Sequence, residues 1–424
     1  MNSFEYLGLS YRKTSDNTVS VSGLKRMWGD RGKIIIPSTV TAYAGKEFNV
    51  TGVDRYAFHT VLSATELVIP GSVVEISEAA FESCVSLKDV TIGEGVQILR
   101  YNAFCRCKGL NEIYIPASVS TIEEGAFNEC LFLERITVSE ANANFCSIDG
   151  SLYSKDKTEL VLCAPAKKGT LRIPSTVRSI RPTALEWSLQ LESVEVEDGS
   201  ESFRSIDGLL YDKDVTRLIY CPEGRCGSVI IADSVKTIGN EAFLFTENIK
   251  KISIPESLEE IEWGGFSGCS ILHSIVLPAG LKVIGNDAFR SSCHLDSITI
   301  HAQTPPDCSS GSVFCYSAYK NATLYVPRGT KAAYSSAPEW KEFKDIVEMD
   351  MTTEECKLED GTISINLLKR EVIIKGLDCE VIVSSSTGQQ IYKMNINGGS
   401  SVIHVPQKHS CELKAGNSSL KIMI

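Results

Sequence analysis

The sequence predicts a mainly β protein: a solenoid of about eight or nine turns with two β-meander insertions, then a small β-sandwich. Three observations predict this. Phe58, Phe81, Phe104 and Phe127 stand 23 residues apart, and Phe243, Phe266 and Phe289 resume that spacing. A fixed period of this length means one supersecondary unit stacked on the next. Within each period, Leu-x-x-Val-x-Ile alternates apolar and polar residues, the two-residue rhythm of a half-buried strand. From residue 357 onward the period is lost and short strand-like runs alternate with Gly and Asn.

Each repeat position has a task. The proline in Ile69-Pro70 and Ile115-Pro116 ends the strand, because proline cannot donate to a ladder. Val-x-x-Ile-x-x-x-Ala-Phe then returns along the far side and drops Phe inside. Stacked turns should lay Phe58, Phe81, Phe104, Phe127, Leu185, Phe243, Phe266 and Phe289 in one column. Cys84, Cys107 and Cys130 should form a second, as small buried hydrophobes, with Cys269 and Cys293 in the same slot later. Cysteines in register have parallel Cβ vectors, so disulfides are not expected.

In chain order, residues 1–33 read as an N-terminal β-hairpin cap, with Phe4–Tyr11 and Thr18–Val21 around a turn at Ser15-Asp16-Asn17. Residues 34–347 read as the solenoid. The slots at Leu185 and Phe243 each come 58 residues after the last, so 35-residue insertions are expected at about 139–173 and 197–231. They are copies: Ser147–Tyr153 matches Ser205–Tyr211, and Lys155-Asp156 matches Lys213-Asp214. Asp-Gly in each is a hairpin turn signal, so each reads as a three-strand meander standing off one edge. Thr323–Pro327 reads as the final strand, and Lys331–Ile346 as a closing segment whose aromatics cover the core. Residues 348–356 read as a linker and 357–424 as an immunoglobulin-like or sorting-type β-sandwich.

The phrase Ile-Pro-x-x-Val-x-x-Ile-x-x-x-Ala-Phe-x-x-Cys-x-x-Leu-x-x-Ile-x-Ile resembles the BspA-type leucine-rich repeat of bacterial surface proteins. The resemblance covers roughly residues 34–346. The tail, with Val381-Ile382-Val383, Thr387-Gly388-Gln389-Gln390-Ile391-Tyr392 and Leu420–Ile424, is similar to the C-terminal sorting domain of the Bacteroidetes type IX secretion route. There Cys411 replaces the usual aromatic. These resemblances imply an exported protein, extracellular or at the outer-membrane surface, used for adhesion or protein binding.

Composition narrows the function. A net charge of −11 argues against nucleic acid as partner. No apolar run is long enough to span a membrane. The first residues, MNSFEYLGLS, lack a leader's basic and apolar regions, which fits a cytosolic start or a leader already removed. There is no HExxH, nucleophile elbow, P-loop or dinucleotide fingerprint, so no enzyme, cofactor or metal is expected. His273 and His294 begin successive strands and read as a solvated pair.

Binding is expected on the outward side of the strands, a ladder of seven rungs on the order of 30 Å long, suited to a protein or glycan partner. On it Tyr114, Arg135, Glu195 and Lys251 are the candidate contacts, since aromatic and arginine side chains dominate hot spots. The paired meanders, with Tyr153 and Tyr211 equivalent, are the alternative surface. A passive stalk, or a hydrolase with an unrecognised site, is the rival function.

Overall fold

The computed structural model describes residues 3–24, 32–42, 45–308 and 311–349 in full, and beyond them the backbone of strands between 354 and 423. The repeat strands stack in parallel into a solenoid. Their inward central residues are Ile34, Leu67, Val90, Ile113, Ile136, Leu171, Val194, Val229, Ile252, Ile275, Ile298, Leu324 and Ile346. That gives thirteen rungs, not eight or nine. Counting Phe slots missed the rungs whose return path carries no Phe.

The arithmetic of the long turns explains most of the difference. Ile136 to Leu171 is 35 residues and Leu171 to Val194 is 23; Val194 to Val229 is 35 and Val229 to Ile252 is 23. Each apparent 35-residue insertion is therefore a complete turn, longer than the standard one by 12 residues. Each does form three antiparallel strands: Phe145–Ile148, Ser151–Ser154 and Glu159–Leu162 in the first, Phe203–Ile206, Leu209–Asp212 and Arg217–Tyr220 in the second. They do not stand off an edge. The third strand is the return leg, pairing in parallel with Ser179–Ile180 or Thr237–Ile238. Cys163 and Cys221 take the place of Phe, donating N–H to Ala184 and Ala242 as Phe104 does to Ala126.

The first two strands of each long turn wedge against the preceding rung. Ile136 N–H donates to Gly150 O at 2.8 Å, and Ser147 Oγ donates to Ile136 O at 2.5 Å. Val194 N–H donates to Gly208 O in the second copy. Asp149 and Gly150, at φ 48° and 77°, form the tight turn that fits there. The wedges separate the rungs into groups of five, two and six, and the buried apolar side chains fall into three clusters accordingly; strand pairing also lapses inside the first group, after Asp89–Ile92, and inside the last, after Ile249–Ser253.

On the return side the phenylalanines stack. Ring centroids lie 4.9, 5.3 and 5.6 Å apart from Phe58 to Phe127, and 4.9, 5.3 and 5.0 Å from Phe243 to Phe314. Leu185 is buried between the two stacks. The cysteine slot has a polar reason as well as a steric one. Cys84, Cys107 and Cys130 each donate S–H to the carbonyl of the preceding turn's Phe, at 3.2, 3.3 and 3.1 Å. Ser292 Oγ makes this bond to Phe266 at 2.7 Å. Cys293 was expected in that slot, but Ser292 holds it and Cys293 is exposed. The twelve described cysteines are free thiols.

The N-terminal stretch forms three strands, Ser3–Tyr6, Leu9–Lys13 and Thr18–Leu24. The expected single strand Phe4–Tyr11 is broken by a turn at Leu7 and Gly8, both at positive φ. Thr18–Leu24 pairs in parallel with Glu47–Val53, so this meander covers the first turn with Tyr11, Val19 and Val21 buried. At the other end Thr323–Pro327 is not the last strand: Asp345–Met349 pairs with it, and Tyr334, Trp340 and Phe343 pack under both. Trp340 Nε1 donates to Pro306 O at 2.9 Å.

Beyond the solenoid, eight strands form two antiparallel four-stranded sheets. The first of these strands, Glu354–Leu358, begins within the stretch read as a linker. The side chains of this region lie outside the described residues, as do loop signals such as Thr387-Gly388 and Asn397-Gly398-Gly399.

Candidate binding surfaces

Strand alternation puts the residues on either side of each inward position onto the open face. In register order one outward column runs Lys33, Glu66, Asp89, Glu112, Arg135, and the other Ile35, Val68, Thr91, Tyr114, Thr137. Lys33 pairs with Glu66. Tyr114 is 47% exposed and sits beside Thr137, while Arg135 lies next to Glu112. Arg135 also abuts the first wedge, where a Cβ at Gly150 would approach the Arg135 side chain at 3.6 Å. Glu195 is on the middle run and pairs with Arg172, Nε to Oε2 at 3.2 Å. Lys251 is exposed on the third run, beside Ser228.

Tyr114 and Arg135 thus share one run, while Glu195 and Lys251 stand on separate ones. The ladder is not one uninterrupted strip of seven rungs, because the wedges interrupt it. The six-rung run spans about 24 Å at ~4.8 Å per strand. Apolar side chains recur on the open face: Ile35, Tyr114, Ile230, Val276 and Val347 are each more than 40% exposed. Arg172 and Ile230 escaped the sequence reading because their rungs were counted as insertion. The signal was present, since 35 exceeds 23 by only a hairpin's length.

Tyr153 and Tyr211 are not a surface. Both are fully buried, because the wedge strands turn alternate residues into the core. Tyr153 OH donates to Arg172 O at 3.4 Å, and Tyr211 OH accepts from Ala232 N–H at 3.3 Å. The alternative partner surface built on these two residues is therefore overturned.

On the return side, ion pairs step from turn to turn. Arg100 bridges Glu75 and Glu123 at 2.9 and 2.7 Å, and Arg106 bonds Glu129 at 2.8 Å. Such exposed pairs contribute at most about 1 kcal/mol each. His273 and His294 are neighbours at 6.4 Å, and His273 Nδ1 lies 2.9 Å from Asp296. Among the described residues no His, Cys, Asp and Glu cluster could hold a metal ion. No helix there is long and apolar enough to cross a membrane.

A parallel ladder on one side, turns with left-handed residues on the other, and in-register apolar columns define a leucine-rich-repeat solenoid. The chain belongs to the family described as BspA type leucine rich repeat region, which matches residues 47–159 and 220–330 in six copies. Among solved structures it is similar to the pneumococcal vaccine antigen PcpA, at 21% identity and TM-score 0.51, covering 82% of this chain and 98% of that one. A leucine rich cell surface protein from Faecalibacterium prausnitzii is 23% identical over 82% of this chain and 94% of its own, with TM-score 0.48. A leucine-rich repeat protein from Bacteroides capillosus is 26% identical over 33% of this chain and 99% of its own, with TM-score 0.31. No curated protein matches the chain. The likeness to PcpA shows the fold.

Proposed function

We propose that this protein is a non-catalytic, surface-displayed or secreted binding protein that engages a protein or glycan partner through the open face of its rungs. The observation that carries the reading is the composition of that face. Exposed apolar residues recur among charged ones, with Tyr114 and Arg135 on neighbouring rungs. Amphipathic aromatic and arginine side chains in such a setting supply most of the binding energy of protein interfaces. Membership of a family typified by surface proteins, and the cell-surface name of a structural neighbour, support display outside the cell.

The test is capture from host-matrix and bacterial-surface extracts by the full chain, compared with the Tyr114→Ala, Arg135→Ala double variant. Loss of a retained partner supports the reading. Equal retention by the folded variant moves the contact elsewhere and favours a passive stalk. For the C-terminal sheets the proposal is a sandwich that serves as a sorting module. Deleting residues 357–424 should block surface display in the native host while the solenoid still folds; normal display would refute it.

A further inference from the structure

The two long turns are copies 58 residues apart, so each position in the second has an internal reference in the first. On the return side the copies differ in one place. Beside the first, the space bounded by Ile122, Phe127, Val161 and Arg181 is about 10 Å³. Beside the second, a cleft of about 350 Å³ opens among Leu185, Ile219, Leu244 and Trp263. Leu185 stands where the first copy has Phe127, and Gly239 where it has Arg181. The ring that Phe127 brings to the first site is therefore missing from the second, and beside Gly239 the guanidinium comes instead from Arg217, whose Nε lies 3.3 Å from where a Cβ on that glycine would stand.

The same comparison brings in three acids. Glu186 stands for Asn128, Glu223 for Pro165 and Glu241 for Thr183, and all three line the cleft. Glu223 is only 3% exposed. Its Oε1 accepts from Trp187 N–H at 3.0 Å, but Oε2 has no partner among the described residues. A buried carboxylate oxygen left unpaired is costly, and its presence in a folded protein calls for a reason. Among the described residues Glu186 has only Asn128 Nδ2, at 3.5 Å. The two arginines in the lining are already committed. Arg181 holds Glu159 at 3.0 Å and Ile122 O at 2.6 Å, and Arg217 makes a two-pronged pair with Glu262.

We infer that this cleft binds an organic ammonium group carried on an aliphatic stem. The apolar walls of Leu185, Ile219 and Leu244 suit the stem. Trp263, 46% exposed, lines the cleft, and tryptophan is the aromatic side chain that attracts a cation best. Glu223 Oε2 receives the charge, and Glu186 and Glu241, elsewhere on the lining, add to the negative potential of the cleft. A bare metal ion fits less well, because no three such groups among the described residues converge to hold one. A volume of about 350 Å³ lies at the small end of ligand sites. This site lies on the return side and does not depend on the reading of the open face.

The acids are poised to respond to such a ligand. Burial, then the charges of Glu241 and Glu124, pushes Glu186 up to about 7. Burial pushes Glu223 up to about 8, opposed by the bond from Trp187 N–H, with smaller upward contributions from Glu186 and Glu247. Burial also raises Glu241. Of the facing arginines, Arg181 is paired with Glu159, and the hydrogen bond to Glu262 raises Arg217; burial raises Tyr220 well above its ordinary range. Proton and ammonium therefore compete for the same carboxylates, and the amine should bind more weakly as pH falls.

The test is calorimetric titration of the full chain with n-butylammonium, Nα-acetyl-lysine methylamide and neutral n-butanol. At pH 8.5 the ammonium probe should bind at least tenfold tighter than the alcohol. Glu223→Gln and Glu186→Asn, each checked for unchanged circular dichroism, should each weaken it about tenfold, the equivalent of one pKa unit. Binding should weaken by about tenfold per pH unit below the carboxyl pKa. A lysine derivative as good as butylammonium points to a protein side chain as the source, and butylammonium alone to a free amine. No binding, equal binding of the alcohol, or indifference to both variants and to pH overturns the inference.

Discussion

Phe104→Ala would test whether the three apolar clusters are separate cooperative units. Phe104 is fully buried, with rings stacked at 5.3 Å on one side and 5.6 Å on the other. Truncating a buried Phe to Ala costs about 3–5 kcal/mol, with the upper values where the site cannot collapse. Collapse is blocked here. Phe81 N–H donates to Ala103 O at 2.9 Å and Phe104 N–H to Ala126 O at 2.8 Å, which fixes the spacing of the turns. Two ring pairs are lost as well, each worth ~0.5–1.5 kcal/mol beyond area. The expected loss is about 4–5 kcal/mol. Stacked repeats couple to nearest neighbours, so it should fall on the first run of rungs. Native-state hydrogen exchange should show amides of residues 67–138 losing protection, while those of 229–346 keep theirs. A loss below about 2 kcal/mol, or an equal loss in both regions, would refute the reasoning.

Three further outcomes are expected. Glu223 holds its proton in the folded state up to about pH 8, while the unfolded carboxyl releases it near its ordinary 4.5. Its penalty is absent below the lower value, grows as pH rises, and is complete above about 8, reaching at most about 4–5 kcal/mol. Urea midpoints at pH 5 and 8.5 should therefore show Glu223→Gln removing much of the alkaline loss. Asn142 is fully buried and makes four bonds, donating to Pro116 O and Val119 O and accepting from Asn144 and Phe145 N–H. Asn142→Ala leaves those backbone groups unpaired, and denaturant unfolding should register a loss of about 3–4 kcal/mol. Cys107→Ser keeps a donor for Phe81 O, as Ser292 does for Phe266 O, so its urea midpoint should report a cost within about 1.5 kcal/mol, whereas Cys107→Val should cost more.

Much of the architecture was legible in residue order alone. The 23-residue spacing of Phe81, Phe104 and Phe127 dictates in-register stacking, because no single turn can bury its own Leu, Ile and Phe. Alternation around Ile113 dictates that Tyr114 faces out, since successive Cβ atoms point to opposite sides of a strand. Both are short-range consequences of backbone geometry. The long turns were harder to read. Their copies were visible, but the parallel pairing of Glu159–Leu162 with the next turn is a contact between residues 20 apart, and no local pattern encodes it. That pairing made Tyr153 and Tyr211 core residues and divided the open face. The acid-lined cleft is more remote still. Glu186, Glu223 and Glu241 are ordinary charged residues in sequence, and only the stacking of three successive turns brings them around one space and withholds water from them. Period and alternation, being local, set the coil and its inward side; the depth of burial of a charge depends on what the neighbouring turns bring beside it, and that the tertiary structure alone decided.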